Sequence, residues 1–185
     1  GHPIEKILTL SKIKNADLIL MGRKKDLNGS SIISSKIARK CPCSLLLVTS
    51  DCASSITKIL VPVDFSNHAA LAVKLALDMQ HVSGSGLEVV HVYGVPIGYH
   101  KTGKSYKEFA AIMKKHAEKD YCYFFEKHSF PSEISCTYIL TDDGKFAELA
   151  YDYADEKGAD LIVIGSRGRT DISSILMGSV AEKLV

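Results

Sequence analysis

Asp160 to Glu182 reads DLIVIGSRGRTDISSILMGSVAE, and the fold follows from how that stretch is parsed. An apolar run of strand length, Asp160 to Ile164, opens straight into glycine. Gly165 and Gly168 bracket Ser166 and Arg167, nine residues follow, and then come Gly178 and Ser179. Ile172, Ile175, Leu176, Val180 and Leu184 recur at helical spacing, which predicts a helix over 171–185 with Gly178 and Ser179 inside it. Glycine lets backbone approach a neighbour closely and reach positive φ. Inside a helix it costs about 1 kcal/mol relative to alanine, so Gly178 asks for a packing or ligand reason. A glycine-rich turn between strand and helix gathers backbone N–H groups at the positive end of the helix dipole, which suits a phosphate. Two readings stay open on these residues alone: turn glycines needed only for conformation, and a phosphate cradle that requires no catalytic side chain.

Working outward, Ile59 to Val63 predicts a buried strand, followed by Asp64, Phe65 and Ser66. Ser66 is placed to cap a helix whose apolar face carries Ala70, Leu71, Val73, Leu75 and Leu77. A second strand spans 87–93, a Gly/Pro/Tyr loop 94–103, and a long helix 105–128 with Phe109, Ile112, Met113, His116, Tyr123 and Phe124 as its stripe. The hydroxyls of Tyr121 and Tyr123 are expected to reach solvent. A strand over 134–140, a helix over 146–156 and the strand 160–164 complete the order βαβαβαβα, which implies a parallel sheet with helices on both faces.

The first fifty residues carry a helix (Ile4, Ile7, Leu8, Ile13), a strand over 17–21 ending at Gly22, a helix over 31–39 and a strand over 44–48. They repeat later text: moved by 143 positions, Gly1, Glu5, Lys14, Ala16, Asp17, Leu18, Ile19 and Gly22 fall on identical residues from Gly144 to Gly165 without a gap. This divides the chain into residues 1–50, the back half of a first copy; 51–57, a polar linker; and 58–185, a second copy. The second copy stops at Val185 with no strand matching 44–48, so a fragment of a longer tandem protein is the expectation.

The chain has 185 residues, and 46% hydrophobic with 24% charged residues is ordinary for a globular protein. A net charge of +2 makes no electrostatic case for nucleic acid or a membrane surface, and the apolar runs are too short to span a bilayer. Five cysteines, an odd number, argue against a disulfide framework and for a reducing, cytoplasmic setting. Cys41-Pro42-Cys43 lacks the second ligand pair of a structural zinc site, so no protein-held metal is expected.

The pattern G-x2-G-x9-G-S, with ADLIVIGSRGRT and MGSVAEKLV around it, resembles the nucleotide-binding signature of the universal stress protein family. That resemblance implies a doubly wound, Rossmann-like sheet of five-stranded type in the order 3-2-1-4-5, similar to the adenine nucleotide alpha hydrolases. It places a ligand where the first and fourth strands diverge. It implies ATP as ligand, with Mg2+ carried on the phosphates. Pro62, Val63 and Asp64 match positions that hold adenine and ribose, and Val92 one that packs on the base. Ile164, Gly165, Ser166, Arg167, Gly168, Gly178, Ser179 and Val180 match the phosphate-cradling segment. From the residues themselves, Asp64 could instead simply help cap the helix that follows it, and His91 reads as a satisfied core or ligand-rim histidine rather than a catalytic base. In the first copy Lys25 stands where Gly168 stands in the second and the later Gly-Ser is missing, so that copy is expected to bind no nucleotide. No Walker lysine, Ser-His-Asp set or carboxylate pair is present in motif form, which implies a bound signal with little or no hydrolysis. The alternative is an interaction module with an empty crevice. Pairing through a last strand, 44–48 here, in a homodimer or tandem pseudo-dimer is the partner expectation.

Overall fold

The computed structural model describes residues 2–23, 30–168 and 177–185. Lys25 and residues 171–176 of the helix expected over 171–185 lie outside the described residues. The first part contains α1 (Pro3–Ile13), β1 (Leu18–Arg23), α2 (Ser30–Lys40) and β2 (Ser44–Thr49). The second contains β3 (Lys58–Pro62), α3 (Asn67–Ser83), β4 (Gly86–Gly94), α4 (Tyr106–Lys127), β5 (Cys136–Thr141), α5 (Phe146–Glu156), β6 (Leu161–Ile162) and α6 (Ser179–Leu184). Moved by 143 positions, the bounds of α1 coincide with those of α5.

All strand pairings are parallel. β1 and β2 form a two-stranded sheet, and the larger sheet has the order β5-β4-β3-β6, which is 3-2-1-4 when its strands are counted in chain order. Period-two alternation sends Ile59, Val61 and Val63 to one face and Leu60 to the other. On the first face they meet Val73 and Ala76 of α3 and Phe124 and Phe125 of α4; on the second, Leu60 and Val90 meet Ala154 of α5.

Two helix faces differ from expectation. The buried side of α3 is Ala69, Ala70, Ala72, Val73 and Ala76, while Leu71 and Leu75 are exposed, because alanines let the helix lie close on the sheet. On α4 the buried positions are Ala110, Ala117, Phe124 and Phe125; His116 and Tyr123 face solvent. Tyr121 does not reach solvent as expected: its hydroxyl donates to the Ile134 carbonyl. Strand β6 is shorter than its apolar run, although the Asp160 and Val163 N–H groups still donate to the Lys58 and Leu60 carbonyls of β3 at 3.0 Å, and the Asp160 carboxylate accepts from the Thr57 and Lys58 N–H groups at 2.8 and 3.0 Å. All five cysteines are free thiols. Among the described residues no helix is long and apolar enough to cross a membrane.

Candidate functional site

The site is built where β3 and β6 end side by side. β3 stops at Pro62, and Val63 still donates its N–H to the Val90 carbonyl at 2.9 Å, which carries the chain to Asp64 in register. Phe65 then turns with φ of 64°, a left-handed conformation that is costly for a bulky residue. The turn is held on both sides. Asp64 Oδ1 accepts from the Ser66 N–H at 3.1 Å, and Ser66 Oγ accepts from the Ala69 N–H at 3.1 Å to cap α3. The His91 Nδ1 lies 2.8 Å from the Val63 carbonyl oxygen and its ring stacks on Phe65 at 4.4 Å, so this histidine serves the turn. Asp64 thus holds the capping residue Ser66 through one oxygen; its other oxygen faces the opposite wall.

That wall is glycine for a reason of space. A Cβ on Gly165 would lie 2.7 Å from the His68 carbonyl carbon and 3.1 Å from the Ala69 nitrogen, in the first turn of α3. A Cβ on Gly168 would lie 2.8 Å from Asp64 Oδ2, and one on Gly178 3.3 Å from the Gly168 nitrogen. Gly178 is not inside a helix as expected. It is the N-cap of α6, with φ of −63° and ψ of 142°, and its N–H donates to the Ser166 carbonyl at 2.9 Å. The helix therefore starts at Ser179, and the glycine is needed for close approach of two chain segments.

Between these walls lies a cavity of ≈ 250 Å³. Pro62, Val63 and Asp64 line it from β3 and its turn, Val92 from β4, Ile164, Gly165, Arg167 and Gly168 from the segment after β6, and Gly178, Ser179 and Val180 from the start of α6. Ser166 does not line it; its carbonyl is turned to Gly178. The structure adds Ala69, Val90, Phe146, Ala150 and Ala181. Phe146 is 40% exposed and sits within 3.9 Å of the Cβ positions of Gly94 and Gly144. Nothing local in the sequence marks it, because α5 reads as an ordinary amphipathic helix. The cavity has two sides across β3: Val90 and Val92 of β4 with Phe146 and Ala150 of α5 on one, and Gly165, Arg167 and Gly168 after β6 with Gly178, Ser179 and Val180 on the other.

The rim beside Phe146 is tied across two loops. The Tyr106 hydroxyl donates to Asp142, and that hydrogen bond pushes the Tyr106 phenol up to about 12. Tyr99, in the 3-10 turn Tyr99–Thr102, packs against Tyr106 at 5.6 Å and Phe109 at 6.2 Å. Thr141 is buried, accepts the Gly144 N–H at 3.1 Å, and so shapes the approach to α5. Among the described residues no group of three or more His, Cys, Asp or Glu is placed to hold a metal ion.

Sheet order, crossovers and cavity together define a doubly wound α/β protein whose crevice lies beyond the carboxyl ends of its strands, at the switch point. Comparison with known proteins narrows this. The universal stress protein family profile matches residues 55–185. Universal stress protein E of Photorhabdus laumondii is 26% identical over 199 aligned residues, covering 100% of this chain and 63% of that protein. A Thermus aquaticus universal stress protein, described from the QAH/OAS sulfhydrylase 3′ region, is 31% identical over 127 residues, 69% of this chain and 89% of its own. The crystal structure of a universal stress protein from Archaeoglobus fulgidus superposes with a TM-score of 0.61 at 19% identity, covering 100% of this chain and 61% of that one. The chain belongs to the universal stress protein family. It spans less than two thirds of the length of the Photorhabdus and Archaeoglobus proteins.

Proposed function

We propose that this chain binds an adenine nucleotide, ATP with Mg2+ on its phosphates, in the crevice between β3 and β6, and works as a nucleotide-dependent stress or signalling module with little or no hydrolysis. The two-sided cavity carries the reading. An apolar side of Val90, Val92 and Phe146 suits a base, and a side of glycine backbone with Arg167 suits a phosphate tail. Asp64 lies between them, one oxygen engaged by Ser66 and the other turned to Gly168, where a carboxylate can accept from ribose hydroxyls. The glycine at 168 leaves the space that a Cβ would take from that carboxylate. Mg2+ would be carried on the phosphates. Residues 1–50 would be a companion unit that holds no nucleotide, and the outer edge of β2 the strand that pairs with a second copy.

One observation favours the other reading, an interaction module with an empty crevice. Gly165 and Gly178 both have packing reasons, and the Gly178 N–H is engaged by Ser166, so the motif does not by itself require a ligand. Calorimetric titration with ATP and Mg2+ separates the two. Saturable binding is expected, weakened about tenfold in Asp64→Asn, which keeps an oxygen for the Ser66 N–H but loses the charged acceptor. Absence of saturation at millimolar ATP would leave the interaction module standing.

A further inference from the structure

The α6 wall of the crevice belongs to a helix of six residues. It packs on α5, and three polar links reach it from the first fifty residues. Arg23, the last residue of β1, donates from Nη1 to the Leu184 carbonyl at 2.8 Å. Ser34 of α2, itself buried, donates from Oγ to the Val185 carbonyl at 3.4 Å. Arg39 of α2 pairs with Glu182. Within the second part, Lys183 reaches Glu148 of α5 at 2.9 Å. At the other end of the same short helix, Ser179, Val180 and Ala181 line the cavity, with Gly178 just before them.

We propose that β1 and α2, through Arg23, Ser34 and Arg39, position α6 and with it the Gly178–Ala181 wall of the crevice, so that the first fifty residues tune the ligand affinity of the second part from within the chain. Among the described residues Arg23 bonds to Leu184 and Arg39 to Glu182, neither of which lines the cavity, so both act as positioning residues. The ligand side of this inference rests on the nucleotide reading; the mechanical side does not. The Arg39–Glu182 pair is the one to perturb, because both side chains are nearly half exposed and reversing a charge there leaves the core intact.

The test compares wild type, Arg39→Glu, Glu182→Arg and the double exchange Arg39→Glu/Glu182→Arg. Two readouts are taken: ATP affinity by calorimetry, and amide hydrogen exchange of residues 178–184 in the ligand-free protein. Each single reversal is expected to weaken ATP about three- to tenfold, in keeping with the size of a surface ion pair turned into a repulsion, and to speed exchange in α6. The double exchange is expected to return both to within about twofold of wild type. If wild type itself fails to bind ATP, the nucleotide reading falls and the exchange data alone decide the positioning. Unchanged α6 exchange in both single variants, or losses that the double exchange does not rescue, would overturn the proposal.

Discussion

Gly165 and Gly22 occupy the same place in the two copies of the repeat, yet an added methyl group should act oppositely at the two sites. At Gly165 the new Cβ would stand 2.7 Å from the His68 carbonyl carbon, 2.8 Å from its oxygen and 3.1 Å from the Ala69 nitrogen. All three are backbone atoms in the first turn of α3, and the Ser66 cap pins that turn, so no flexible side-chain end can swing away. Overpacking of this kind costs about 1–3 kcal/mol. At about 2–4 °C per kcal/mol for a chain of this size, Gly165→Ala should lower the unfolding midpoint by roughly 2–12 °C. At Gly22, in β1, a Cβ would meet nothing within 4 Å, and φ is not in the left-handed region. Gly22→Ala should then be neutral or stabilising by about 0.4–1 kcal/mol through reduced freedom of the unfolded chain. Circular dichroism melts of the ligand-free variants, checked by urea titration, read both. Equal midpoints for Gly165→Ala and wild type would show that α3 and the glycine turn are not in contact, and the geometry of the crevice would have to be redrawn.

The remaining predictions concern ionisable groups. Burial alone would raise the Glu88 carboxyl, but hydroxyls donated by Tyr153 and by Thr137 (3.0 Å), with the Lys58 ammonium at 3.5 Å, hold it below its ordinary value. A depressed folded-state value means that this contribution is present above the unfolded carboxylate range and is lost as pH falls through the folded one. Tyr153→Phe should therefore cost about 1 kcal/mol at neutral pH and move acid unfolding to higher pH, with the difference from wild type vanishing in strong acid; a pH-independent difference would contradict this. Burial pushes the Cys136 thiol up to about 12, whereas Cys52 and Cys122 are exposed. At pH 8 a thiol reagent should label Cys52 and Cys122 in the native protein and reach Cys136 at least tenfold more slowly, a ratio that denaturant should abolish. Mass spectrometry of the labelled peptides gives the rates.

Element order was legible because it depends on short-range regularities. Alternation at Ile59 to Val63, the Ser66 cap and the glycine after Ile164 each act over a few neighbouring residues, the repeat at an offset of 143 is read by matching two such stretches of text, and together they lead to a parallel sheet with its crevice beside Asp64 and Gly165. Three further features were not legible, for a common reason. The exposure of Leu71 and Leu75 follows from how closely α3 approaches the sheet, which alanines on its other side permit. The crowding of Gly165 follows from His68, and the presence of Phe146 in the cavity from the packing of α5 over β4. Periodicity and turn chemistry are properties of a local stretch of chain, so they can be read in order along it. Which glycine is hemmed in, which carbonyl takes the Gly178 N–H, and which arginine holds a six-residue helix depend on segments far apart in sequence meeting at van der Waals distance, and that meeting exists only in the packed molecule.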